Sequence, residues 1–537
     1  MKLRSSQDFA ATYNGNKKGI GIGIENYVHV REEATAGTFL PPRVGTAGYS
    51  ESDDTPSEDI SAGPADTLGI TVDGGSLLDV TLSLVGTNTG DLIAAEIVDK
   101  VNAALALAGS DSRIDADWDT TVAGHYYIAS QKTGPNSSVV ITAGVGGGGD
   151  VTPALKIGVA NTGTEDVGTK GGDFLYMTKA SLKVDQPFEP SEHRTGRQAS
   201  SIIKKKIMSE GDLEMYFNLN TDTGDAIDPA VDLLLQSVFG NKEETASYIR
   251  YNSKQAQNKF MSFTQANNAF VRAMNGVYTK SLSISLVGDG EAKLTMPLKA
   301  RDGLYASIAK LSAGATAEAE LSLEAGEEWN FDIGAYVMVV DTDGRTVLAG
   351  ADGTLRVLSR NTTTNTATLS SPVTASLGAF IVPYAPHVFD QAGIDNPITG
   401  LQGYVSFDNG ATQVEEIRSC EITFDPVLED QDNYYGADGN RGFVVGGRSD
   451  IKISLDVMLS VSQLSTVMKT RGDATFAMKI VLGDDTGRHF IFKAPKVKYA
   501  VPPIEMPDSG SIAIQLEGTC LQSETGALDA FEMEIVK

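Results

Sequence analysis

The chain has 537 residues, and a few groups of them have types and spacings that chemistry can use. Gly144-Val145-Gly146-Gly147-Gly148-Gly149 is glycine-rich enough to approach a phosphate. No Lys-Ser or Lys-Thr follows it, and no strand–loop–helix frame holds it, so it reads as a loop. Asp341-Thr342-Asp343-Gly344 opens like a calcium loop but has no glutamate at the twelfth position, and it reads as a hairpin turn. His193, His387 and His489 are far apart and lack metal-ligand spacing. Carboxylate pairs such as Glu415-Glu416 and Glu429-Asp430 arise by chance among 70 acidic residues. With two tryptophans, the aromatic platforms that accompany a sugar-cleaving pair are scarce. Cys420 and Cys520 sit on strands that a closing sheet would bring together, and in a reducing compartment they read as buried free thiols. The run Lys204-Lys205-Lys206, preceded by Arg194 and Arg197, stands out against an acidic background. No catalytic residue, metal ligand or cofactor is expected, and the chain is not expected to be an enzyme.

The elements that would position these residues are mainly strands. At roughly 100–200 residues per domain the length implies about three to five domains. Acidic residues number 70 and basic ones 43, a formal charge of −27, which argues against a surface that clings to nucleic acid or anionic lipid. A hydrophobic content of 41% is enough for several cores, and 56 glycines point to turn-rich β structure. No apolar run approaches the ~18 residues of a membrane helix. Residues 1–18 lack the apolar run of a signal peptide, so cytosolic synthesis is expected.

Gly19 to Ile24 alternates glycine with isoleucine, either as a strand with a bare glycine face or as a mobile arm. Residues 45–65, rich in Gly, Ser, Asp, Glu and Pro, read as a linker. From 60 to 165 the pattern predicts a ββαββ module. A hairpin turns at Asp73-Gly74-Gly75, and a helix opening at Asp91 carries the stripe Ile93, Ile97, Val101 and Leu105. Strands at Tyr126–Ile128 and Val139–Ile141 complete it. Its 12 acidic and 4 basic residues do not suit a nucleic-acid-binding insert. Short strands between 320 and 388 predict a small β-barrel or sandwich.

The most informative feature is a weak duplication of 174–300 in 414–520. Ala180–Asp185 matches Cys420–Asp425 at an offset of 240, and Asp212–Leu219 matches Asp450–Val457 at 238. A helix follows in each copy. The first is capped by Asp228-Pro229 and ends at Gly240, with the stripe Val231, Leu234, Leu235 and Val238. The second has Ser460 or Ser462 as cap and Val461, Leu464, Val467 and Met468 as stripe. Leu294–Leu298 then matches Ile512–Leu516 at 218. A polar excursion after the first strand of each copy carries Arg194 and Arg197, and then Arg441.

This order of elements resembles the tail tube proteins of long-tailed bacteriophages, in the type with two fused tube domains per chain. Glu33-Ala34-Thr35-Ala36-Gly37-Thr38-Phe39 followed by Pro41 is similar to a signature near the start of many tube proteins. Leu68 to Asp73, the helix from Asp91 and Ser137–Ile141 resemble a module of tail sheaths and flagellar proteins. The resemblance implies a mainly β fold with short helices and two tube-type β-sandwich or barrel domains. Its divisions are 1–59, an arm and the start of the first tube domain; 60–165, the module; 166–312, the first tube domain; 313–392, a small β-barrel insertion; and 393–537, the second tube domain. It implies a structural protein of the virion tail, assembled in the host cytoplasm, that self-associates into stacked rings, three chains giving six equivalent positions. Double-stranded DNA would pass through the lumen without sequence-specific binding. A tape-measure protein, tail terminator and tail-tip proteins would be partners, and no membrane. An acidic lumen would repel the DNA backbone. Arg194, Arg197, Lys204, Lys205, Lys206, Arg441 and Arg448 are the expected inter-ring or inter-subunit contacts. The competing expectations are a contractile sheath or decoration protein, and a carbohydrate-binding tail protein.

Overall fold

The computed structural model describes residues 27–537 apart from 34–38, 43–48, 53–66, 84–89, 111, 120–124, 131–136, 146–148, 167–173, 176, 186–187, 191–193, 196–197, 200–201, 205–207, 218–226, 253–258, 268–269, 288–289, 345, 351–352, 385–397, 399–402, 408–411, 415–416, 432–441, 446–448, 460, 473, 484–488, 505–511 and 523–529. Antiparallel strands dominate it, so the chain is mainly β. The Gly19–Ile24 stretch, His193, His387 and Glu415-Glu416 lie outside the described residues.

The first strand, β1 (Tyr27–Glu32), alternates Val28 and Val30 into a core. After it comes an inserted unit of β2 (Tyr49–Glu51), β3 (Thr67–Val72), β4 (Leu78–Thr81), α1 (Gly90–Leu107), β5 (Ile114–Asp119), β6 (His125–Ser130), β7 (Val139–Ala143) and β8 (Thr164–Asp166). The predicted stripe of α1 is buried, with Ile93, Ile97, Val101 and Leu105 all turned inward. The ββαββ order needs correction. The strands form two sheets, β4-β3-β7 and β5-β6-β2-β8, around one core with α1. β5 was not expected, and β2 lies inside the stretch read as linker. Ser50 of β2 is fully buried and Tyr49 stacks on Tyr127 at 5.1 Å. Three residues are too few for alternation to show in a sequence.

The first half continues with β9 (Phe174–Leu175), β10 (Lys179–Asp185), β11 (Phe188–Pro190), β12 (Arg194–Thr195), β13 (Gln198–Ala199), β14 (Ile202–Lys204) and β15 (Met208–Tyr216). Next are α2 (Pro229–Phe239), β16 (Asn241–Glu244), β17 (Tyr248–Asn252), β18 (Met261–Ala266), β19 (Phe270–Thr279), β20 (Leu282–Val287), β21 (Lys293–Ala300) and β22 (Asp302–Ser307). One layer runs β10-β15-β21-β20, and the other β9-β1-β18-β19-β22. The end of β19 joins the layers, since Tyr278 and Thr279 pair with Lys299 and Leu298 of β21. The Asp228 carboxylate accepts from Ala230 N at 3.0 Å and starts α2, and Gly240 at φ 81° stops it. Glu33, the first residue of the signature, is buried after β1. Its carboxylate accepts from Ser262 Oγ (2.8 Å) and from Gly276 N (2.9 Å) where β19 bulges.

Between the halves stand β23 (Ala309–Lys310), β24 (Ala315–Ser322), β25 (Val337–Val340), β26 (Val347–Ala349), β27 (Val357–Asn361), β28 (Thr366–Ala375) and β29 (Phe380–Pro383). They form sheets β23-β29-β25-β26 and β24-β28-β27. This is a small sandwich, one of the two forms expected, and the bridges Leu311↔Leu323 and Tyr336↔Arg356 link the edges of its sheets. Asp341–Gly344 is a turn, with Gly344 N donating to Asp341 O (2.9 Å) and Gly344 at φ 69°.

The second half contains β30 (Gly403–Phe407), β31 (Thr412–Val414), β32 (Ile417–Asp425), β33 (Leu428–Gln431), β34 (Gly442–Val445), β35 (Asp450–Met458), α3 (Val461–Arg471), β36 (Phe476–Gly483), β37 (His489–Tyr499), β38 (Ala513–Cys520) and β39 (Glu532–Val536). Its pairings reproduce those of the first half. β30, β31, β32, β35, β36, β37, β38 and β39 stand where β1, β9, β10, β15, β18, β19, β21 and β22 stand. Even a register shift recurs, between Met261 and Phe263 on β18 and between Phe476 and Met478 on β36. Lys280 N donates to Pro297 O and Ala500 N to Glu517 O, both at 2.8 Å.

The ladders correct two sequence offsets. Ala180 faces Leu213 and Cys420 faces Leu455, so an offset of 420 − 180 = 240 in the first strand requires 455 − 213 = 242 in the second. Leu213 faces Met296 and Leu455 faces Leu516, which gives 516 − 296 = 220 in the last. The predicted 238 and 218 have the same parity, and a period-two pattern cannot tell them from the true values. The α3 stripe is also corrected. Val467 and Thr470 are buried, whereas Leu464 is 43% and Met468 56% exposed.

Gly90 opens α1 directly against the Trp118 indole, which occupies the space a Cβ would need. Gly90→Ala is expected to destabilise the inserted unit by ~1–3 kcal/mol through overpacking, read as an earlier thermal transition in Trp118 fluorescence. An unchanged transition would contradict this packing.

Candidate assembly interface

The two halves meet through backbone. β20 of the first half pairs with β32 of the second over six residues, from Leu282↔Phe424 to Val287↔Ser419. This ladder continues the layer β10-β15-β21-β20 into β32-β35-β38. A second ladder joins β17 to β39, from Tyr248↔Val536 to Asn252↔Glu532. One hydrophobic core runs through both halves. Phe217 meets Phe490 at 5.0 Å, and Phe239, at the end of α2, meets Phe424 at 4.9 Å.

Ions close the joint from the other side of β39. Glu532 and Glu534 are 3% and 7% exposed and alternate with the core residues Met533 and Ile535. Arg250 Nη2 lies 3.2 Å from Glu534 Oε2, and Lys493 Nζ 2.8 Å from the same oxygen. Burial pushes the Glu534 carboxyl up, but Lys493 and Arg250 outweigh it and hold the group below the usual carboxylate range. On α2, Asp232 accepts from Lys242 Nζ (2.7 Å) and Tyr251 Oη (2.6 Å), which fastens the β16–β17 hairpin to the helix.

The layer that crosses the joint has one apolar face and one polar face. A single rung across the polar face reads Lys179, Glu214, Thr295, Ser283, Thr423, Lys452, Thr519 and Lys498. Another alternates Lys183, Glu210 and Lys299. Lysines therefore stand beside carboxylates, as in Lys179–Glu214 at 2.7 Å.

The continuous layer ends at β10. Among the described residues β10 pairs with β15 alone, and only the Ala180 carbonyl takes a side-chain donor on its way out, the Gln265 amide at 3.2 Å. Its counterpart β32 is covered on both edges, by β35 and β20. At the far end, residues 501–504 follow β37 as β20 follows β19, but among the described residues they form no strand and no ladder. By the offset of the neighbouring strands Ile504 corresponds to Ile284 (284 + 220 = 504), yet Ile504 is 41% exposed and Ile284 1%.

The predicted contact residues map unevenly. Arg194 on β12 and Lys204 on β14 belong to a long arm that extends the β10–β15 hairpin, with Phe188↔Lys204 and Arg194↔Ala199 as rungs. The second half has a matching arm, with Leu428↔Val445 to Gln431↔Gly442. Arg197, Lys205, Lys206, Arg441 and Arg448 lie outside the described residues. What the sequence reading missed is the joint itself. Its signal was the alternation Leu282, Ile284, Leu286, which has no well-formed equivalent in the Pro502-Pro503 segment.

Cys420 and Cys520 are both free and buried, and burial pushes each thiol up to about 12. They lie on β32 and β38, which flank β35, and are offset four residues along the strands, so they are more than two strand spacings, or about 10 Å, apart. That is too far for a disulfide.

No family model and no curated protein matches the chain. Among solved structures it is similar to a chain from the virion of a native gene transfer agent particle. That chain is 15% identical, the match covers 23% of this chain and 95% of that one, and the TM-score is 0.21. It is also similar to the flagellar cap protein FliD from Bdellovibrio bacteriovorus, at 12% identity over 27% of this chain and 68% of that one, with a TM-score of 0.16. At these scores the likenesses carry no argument about function. No described helix is long and apolar enough to cross a membrane.

Arg250→Met should cost about 1–3 kcal/mol at neutral pH, because it removes the cation nearest Glu532 and leaves Glu534 with Lys493 alone. Glu534 is held low, so its stabilising effect is present above the usual carboxylate range and is lost as pH falls through its folded value. The deficit of the variant should therefore shrink toward about pH 4. Urea melts at both pH values check this, and a deficit independent of pH would contradict it.

Proposed function

We propose that the chain is a structural subunit that joins head to tail with copies of itself into a closed ring, and that such rings stack into the tail tube of a virion as a conduit for DNA. The observation that carries this reading is the β20–β32 ladder. Within the chain one half pairs its edge with the next, while β10 keeps an edge outside any ladder and residues 501–504, which correspond in sequence to β20, enter none among the described residues. An exposed edge is a template for further pairing. Repeating the same step from chain to chain is a heterologous contact that forms a ring when the rotation closes. With two halves per chain, a six-membered ring takes three chains.

The register follows from the intrachain joint. Ile284 faces Ile422 there, so Ile504 of one chain faces Leu182 of the next (284 + 220 = 504; 422 − 240 = 182). The polar face of the closed layer would line the lumen. Its lysines already stand beside carboxylates, so the phosphate backbone meets few uncommitted cations and has little to bind. Both insertions branch from the opposite layer, from β1 and β22, which favours their projection outward.

Light scattering tests the reading. The unsubstituted chain should reach the mass of three chains or multiples of it. Ile504→Lys, a change at an exposed position, should leave the subunit folded and abolish assembly. Assembly undiminished in that variant would contradict the proposed joint.

A further inference from the structure

The joint inside a chain has a second component that the joint between chains cannot copy. In the first half the β16–β17 hairpin lies on α2 through Asp232 and pairs with β39 of the second half. Among the described residues the second half has no such hairpin, since α3 leads into β36 within a few residues. Both helices have 11 residues, and matched end to end they set Val461 with Pro229 and Arg471 with Phe239. Asp232 and Gln236, which are tied into the hairpin side, thus become Leu464 and Met468, which are 43% and 56% exposed.

The other side of the missing contact is β22, the counterpart of β39. Its outer edge is already occupied by the sandwich. Ala306 bridges to Phe331, Asp332 N donates to Tyr305 O (2.9 Å), and Asp332 Oδ2 accepts from Tyr305 N (2.8 Å). This segment holds the edge position that β17 takes on β39. Two large apolar side chains flank it in solvent, Trp329 at 60% and Ile333 at 56% exposure. Arg360 stands over one face of the Trp329 ring at 4.3 Å and donates to Phe331 O at 2.8 Å, which fixes the corner.

We infer that the sandwich insertion is the clasp of the chain-to-chain joint: its Trp329–Ile333 corner packs on Leu464 and Met468 of the neighbouring copy of this chain, in the place that the β16–β17 hairpin fills within a chain. The inference rests on the ring reading. It gives four exposed apolar side chains a common partner. It also supplies contact where the ladder is weakest, since Pro502 and Pro503 lack the backbone donors of Leu282 and Ser283.

Acrylamide quenching of the intact protein tests it. Trp118 is 9% exposed and Trp329 is 60%, so only Trp329 is readily quenched in the free subunit. On assembly the quenchable fraction should fall from about half of the emission to nearly none. Leu464→Asp with Met468→Asp, both at exposed positions, should leave the melting transition unchanged and raise the concentration for half-assembly about tenfold or more. Assembly with Trp329 still quenchable, or with the double variant assembling normally, overturns the clasp and leaves the ring reading standing. Absence of any assembly by the unsubstituted chain overturns both.

Discussion

An unpaired strand edge carries a row of backbone donors and acceptors that must find partners in protein or water. Most of this structure follows from how that requirement is met at the boundary between two similar halves. β20 closes the edge of β32, and the two layers become one. The core then has no reason to stop at the boundary, and it does not: Phe217 and Phe239 of the first half pack on Phe490 and Phe424 of the second. The halves are therefore similar in topology without being independent in packing.

Duplication leaves the second half with the same needs and different means. Where α2 offers Asp232 to a hairpin, α3 offers Leu464 and Met468 to solvent. Where Leu282 and Ser283 enter a ladder, Pro502 and Pro503 stand. The edge of β39 is covered by β17, and that of β22 by the chain leaving for the sandwich. These differences fall at the periphery of the fold. The shared register shift on β18 and β36 lies inside it, where a change would misalign every side chain beyond it.

The alternating strands were legible because one face of each is buried. β15, β21, β35 and β38 all show the period of two that the sequence reading used. Register was not legible, since shifts of two or four residues preserve that period, and only the cross-strand pairs separate 242 from 238. The helical stripe of α1 was read correctly because the helix is covered along one face. That of α3 was misread because the hairpin that covers α2 has no counterpart there. β1 and β30 went unnoticed as a pair, although Tyr27-Val28-His29-Val30 and Tyr404-Val405-Ser406-Phe407 occupy equivalent rungs. The insertions between them and the next matching strand differ too much in length for a linear comparison. The mixed charge of the polar face of the β10-to-β38 layer also could not be read from a total of −27, because a net charge does not say which face a residue occupies.

The central claim is that one chain spans two positions of a closed ring. Negative-stain electron microscopy of the purified protein addresses it most directly. The account predicts hollow particles with six similar lobes and threefold modulation. Particles without a central opening, or rings built from any number of chains other than three, would contradict it.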